Sequence, residues 1–116
     1  MNRIVAQSGV LSSTLKEEAQ LARKIKIAFR ENGPEHVDAA LALLELGDFY
    51  FAEERFVDSA ESFKRALDIY ESLGEGHQLL VALAMRSLSA ALVQQGKYVE
   101  GAAMSKSARS LMQQYQ

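Results

Sequence analysis

Apolar residues recur three and four positions apart along the chain, and the pattern marks off five helical stretches. In the first, Leu15, Ala19, Ala22, Ile25 and Phe29 form a stripe that Leu21 and Ala28 widen. Just before it, "STLKEE" sets Thr14 three residues ahead of Glu17, the spacing of a capping box. A helix is therefore expected over about 14–31, closed by Asn32, Gly33 and Pro34. Residues 2–11 carry a sparser pattern, interrupted by Gly9, that is compatible with a short separate helix. The second stretch, about 35–53, has Val37, Ala40, Leu41, Leu43, Leu44, Leu46, Gly47, Tyr50 and Phe51 on more than one face, which predicts packing on two sides. The third, about 55–73, carries Phe56, Ser59, Ala60, Phe63, Ala66, Leu67 and Tyr70, and stops at Gly74 and Gly76. The fourth covers about 77–95 and ends at Gly96; the fifth runs from about residue 97 onward. No strand-like alternation occurs, so the expected fold class is all-α.

The pattern repeats. Setting Phe56 on Tyr98, 42 residues later, pairs Leu43 with Met85, Leu46 with Leu88, Tyr50 with Leu92 and Ala66 with Ala108. His36 and His77 stand 41 apart, and the same shift sets Ala60 on Ala19 and Tyr70 on Phe29, which points to a third, more worn copy at the start. The expected division is 1–33 as a degenerate first repeat or capping helix, 34–74 as a repeat and 75–116 as a terminal repeat. In the last copy Phe63 is replaced by Ser105 and Leu67 by Arg109, as expected of a helix whose outer side meets water or another chain.

These residues resemble the tetratricopeptide repeat, a tandem pair of antiparallel helices. The match lies in Leu46, Gly47 and Tyr50 on a first helix, then Phe56, Phe63, Ala66 and Leu67 on a second. The later copy keeps Leu88, Gly96, Tyr98 and Ala108, but has Ser89 for the glycine and Leu92 for the tyrosine. A 42-residue unit exceeds the usual length of about 34, and "RALDIYESLGEGH" is similar to the longer variety in kinesin light chains. The resemblance implies a short right-handed α-solenoid of five to six helices. Its first helices would line a concave groove with Leu41, Leu44, Glu45, Asp48, Phe51 and Ala52, then Leu83, Arg86, Ser87, Ala90, Val93 and Gln94. Where some repeats of this family clamp a terminal carboxylate with Lys and Asn, this chain has Leu44 and Asp48, so that activity is not implied.

Composition narrows the chemistry. The 13 basic and 15 acidic residues carry no cationic stripe for phosphates, which argues against nucleic acid as a partner. With no cysteine there is no disulfide or thiolate metal site, and a reducing, cytoplasmic setting is expected. No segment is apolar enough for a membrane span or a signal peptide core. His36 and His77 fall at helix starts, too few to hold a metal. Glu61 with Arg65, and Lys64 with Asp68, are spaced for surface pairing. Phosphate loops, catalytic triads and paired carboxylates are missing, so neither an enzyme nor a cofactor is expected.

The function expected from the sequence is protein–protein interaction: an adaptor or scaffold holding a peptide or helix in an apolar groove, with a basic group of the partner near Asp48. Two alternatives stand beside it: a homo-oligomer assembled through the terminal helices, and a regulator whose curvature responds to a peptide.

Overall fold

The computed structural model describes the backbone of residues 2–114 and the side chains of residues 14–114. Each periodic stretch is a helix: α1 (Asn2–Asn32), α2 (Val37–Ala52), α3 (Phe56–Ser72), α4 (Gln78–Gln94) and α5 (Tyr98–Gln113). They stack as tandem antiparallel pairs, each helix packing on its neighbours in sequence. The last two residues of the expected fifth helix lie outside the described residues.

The first helix differs from expectation. It runs unbroken from Asn2 through Thr14, so the capping box is not formed and residues 2–11 are not a separate helix. A glycine inside a helix costs about 1 kcal/mol, less than the cost of nucleating a second helix a few residues later.

The turns within the pairs are copies. Arg55 N–H donates to Tyr50 O at 2.8 Å and Glu54 N–H to Phe51 O at 3.0 Å; 42 residues on, Lys97 N–H donates to Leu92 O at 2.9 Å and Gly96 N–H to Val93 O at 2.9 Å. This hydrogen-bonded ending needs a left-handed residue at its centre. Gly96 supplies it with φ +82°, whereas Glu54 is driven to φ +60°.

Close approach between helices is built twice from the same two residue types in opposite places. In the first pair, Gly47 on α2 lies so near the Phe63 ring that a methyl group would overlap it, and Ser59 Oγ donates to Gly47 O at 2.8 Å. In the second pair the glycine is on the second helix: Ser89 Oγ on α4 donates to Gly101 O at 2.7 Å, and a Cβ on Gly101 would lie 2.7 Å from Val93 Cγ2. Both serines are buried. Small residues let the backbones approach and the bulk of Phe63, Tyr70 and Leu43, all buried, fills the space beside them.

On α3 the inward residues meet neighbours on both sides; on α5 only Gly101 and Ala108 are buried. Lys64 Nζ pairs with Asp68 Oδ1 at 2.6 Å, as the spacing predicts. The expected Glu61–Arg65 pair is not formed. The Arg65 guanidinium lies instead over the Phe29 ring, 5.8 Å from its centroid, because a planar, weakly hydrated cation packs well on an aromatic face.

Candidate functional site

Two surfaces combine exposed apolar side chains with charge. The first is the face of α2 and α4. Leu41 and Leu83 occupy equivalent places, 42 residues apart, and remain 45% and 49% exposed. Leu44 is half-buried against the core. Glu45, one turn beyond Leu41, accepts from Lys24 Nζ on α1 at 2.9 Å. Leu41 and Glu45 share a hollow with Ile27 and Lys24, about 290 Å³ in volume, between α1 and α2. Asp48 is exposed and has no cation within 4.0 Å among the described residues. Partial burial, and then the charge of Glu45, raise its pKa above the usual aspartate value.

The other expected groove residues are spread more widely. Phe51 turns to the second helix of its own pair and meets Phe56 edge-on, ring centroids 5.1 Å apart. Val93, its equivalent, lies against Gly101. Leu83 and Ala90 stand exposed on α4, and Arg86 lines a different hollow with Ser105, Arg109 and Met112.

The second surface was not anticipated from the sequence. A cleft of about 500 Å³ opens between the second helices α3 and α5, with Leu88 and Leu92 of α4 as its floor. Ala60, Ala103 and Met104 add apolar walls, and Glu61, Lys64 and Glu100 stand around them. The signal for it in the sequence is a difference between copies: Leu92 where the first has Tyr50, and Lys97 where the first has Arg55.

Neither histidine contributes to a site of chemistry. His36 is the N-cap of α2, its Nδ1 accepting from Asp38 N–H at 3.1 Å, and His77 is the N-cap of α4. Among the described residues no group of three or more His, Cys, Asp or Glu side chains is arranged to hold a metal ion, and no helix is long and apolar enough to cross a membrane.

Comparison with known proteins agrees with this architecture. No curated protein matches the sequence. Among solved structures, BtubC (BKLC) from P. vanneervenii superposes with a TM-score of 0.84 at 18% identity, over 92% of this chain and 43% of that one. The chain thus spans less than half of that protein, and at this identity the likeness speaks for the fold. The tetratricopeptide repeat family matches residues 27–114, three quarters of the sequence. By that match, the chain belongs to the tetratricopeptide repeat family, as an all-helical repeat module of the type that scaffolds protein–protein contact.

Proposed function

We propose that this chain is an adaptor that holds a peptide or helix of another protein against the first-helix face of α2 and α4. The observation that carries the reading is the pair of exposed leucines, Leu41 and Leu83, repeated at equivalent places on successive first helices. An exposed apolar side chain recurring with the repeat forms a ladder that an amphipathic partner can cover. Asp48 beside it, with no cation within 4.0 Å among the described residues, selects a basic group on that partner. A cation there would offset the partial burial, and after it the charge of Glu45, that disfavour the charged form of Asp48. In this reading residues 34–74 and 75–116 are the repeats, of the longer kind found in kinesin light chains. The start of the chain serves as a worn repeat or cap, and the setting is the cytoplasm.

Capture from an extract of the source cells tests it. The Leu41→Asp/Leu83→Asp variant is expected to lose the proteins retained by the wild-type chain, with circular dichroism unchanged. Retention of the same set would refute the first-helix face as the binding surface.

Self-association through α5 is the second reading. Its open face carries Ala102, Lys106, Arg109, Ser110 and Gln113. Close approach is feasible there, but a two-fold contact would set the cations Lys106 and Arg109 against the same cationic face of the second copy, which disfavours it. A strict monomer by light scattering at high concentration would remove this reading.

A further inference from the structure

The fold contains two niches of the same kind, and only one is filled. Over α2, between α1 and α3, the space is taken by Tyr50 and Arg55. The Arg55 guanidinium lies 4.3 Å from the centroid of the Tyr50 ring. It donates to Glu18 Oε2 at 3.0 Å and pairs with Asp58 Oδ2 at 2.9 Å. Tyr50 Oη also donates to Glu18, at 2.9 Å to Oε1. The niche is thus closed by an aromatic ring, a guanidinium and two carboxylates.

Over α4, between α3 and α5, the equivalent residues are 42 positions later: Leu92 for Tyr50, Lys97 for Arg55 and Glu100 for Asp58. Leucine is smaller and has no hydroxyl, and Lys97 makes no ion pair with Glu100 within 4.0 Å. Of the two acids one is kept, as Glu100, while Glu18 gives way to Ala60; the ring has gone, and the guanidinium has become a lysine with no ion pair within 4.0 Å among the described residues. What remains is the cleft of about 500 Å³, with Glu100 at its edge. Glu61, on the opposite wall, also has no cation within 4.0 Å among the described residues, since Arg65 has turned to Phe29. Lys64, the one cation at the rim among the described residues, is neutralised by Asp68.

We propose that this cleft docks an amphipathic helix of a partner protein that brings an arginine, its apolar side chains seated on Leu88, Leu92 and Met104 and its guanidinium against Glu100. The first niche shows within the same chain which groups complete such a space. Glu100, Ala103, Met104 and Ser107 follow one another at i, i+3, i+4 and i+7 along α5, so this wall is about two turns, roughly 10 Å, long. That length matches the two turns over which a docked helix presents its own i, i+3 or i+4, and i+7 anchors. Arginine is favoured over lysine for its planar fork and its ease of packing on apolar surface. This surface opens between the second helices, on a floor of two α4 side chains, and shares no lining residue with the first-helix face.

The test uses the full chain carrying Leu41→Ser/Leu83→Ser/Asp48→Asn, so that the first-helix face offers neither the exposed leucines nor an unpaired carboxylate. A fluorescein-labelled helical peptide of leucine and arginine, about 16 residues long so that it can hold a helix, is titrated by anisotropy beside its leucine–glutamate counterpart. The arginine peptide is expected to bind about tenfold or more tightly than the glutamate peptide. Glu100→Lys is expected to weaken it by about tenfold, and so is Leu92→Tyr/Lys97→Arg, which puts the ring and the guanidinium of the filled niche, with Glu100 as its partner, into the cleft. Both variants are checked by circular dichroism and urea unfolding. Unchanged affinity in either folded variant overturns the proposal, as does failure of the arginine peptide to bind the parent chain at about 100 µM.

Discussion

At the scale of single residues, the comparison of copies separates requirement from history. The second residue after α2 and the second after α4 close the same hydrogen-bonded turn, yet one is Glu54 at φ +60° and the other Gly96. A side chain in the left-handed region costs about 1–2 kcal/mol, partly offset when glycine replaces it by the greater freedom glycine has in the unfolded chain. Glu54→Gly is therefore expected to stabilise the protein by about 0.5–1 kcal/mol, read as a higher urea midpoint with an unchanged slope. A lower midpoint would mean that Glu54 contributes something other than its backbone angle. The exchange of Gly47 and Ser59 for Ser89 and Gly101 carries the same lesson. In the sequence, Ser89 is a departure from the family's glycine. In the structure, the glycine has moved across the interface to Gly101, and the hydroxyl still bonds the glycine's carbonyl. A pattern read along one helix cannot register a compensation made on the helix opposite.

At the scale of elements, the cores of the helices were legible and their starts less so. Apolar periodicity reports the buried stripe, and four of the five helices begin and end within a few residues of the expected places. The start of α1 was misplaced because Thr14 and Glu17 have capping chemistry at the right spacing, while the competing choice, to continue the helix, is set by nucleation cost and leaves no local mark. On α2, Asp48 links electrostatics to stability. Its folded pKa is raised, so the folded chain holds its proton more tightly than the unfolded chain, and the charged form is the one that folding penalises. The penalty is absent below the ordinary value of 3.8, grows as pH rises through the window just above it, and is fully present at neutral pH. Asp48→Asn is accordingly expected to melt at a higher temperature than wild type at pH 7, with the difference closing as pH falls below about 4. A difference that grows on acidification would reverse the assigned cause.

At the scale of the whole molecule, the stack was legible because each repeat is written in one continuous stretch. Leu46, Gly47, Tyr50, Phe56, Phe63 and Ala66 are sufficient to place a helix pair, and the 42-residue offset places the next. The surfaces between repeats were less so. The family resemblance implies Phe51 and Val93 as groove residues, yet each turns to the second helix of its own pair. The cleft between α3 and α5 arises where two copies differ, at Tyr50 and Leu92 and at Arg55 and Lys97, and its walls come from three helices at once. The central claim is that the chain works by holding another protein on the faces of successive repeats. Hydrogen–deuterium exchange of the chain alone and with its captured partner tests this most directly. The account predicts slowed exchange along both first helices, over residues 41–52 and 83–94. Protection confined to residues 102–113 of α5, with α2 and α4 unchanged, would contradict it.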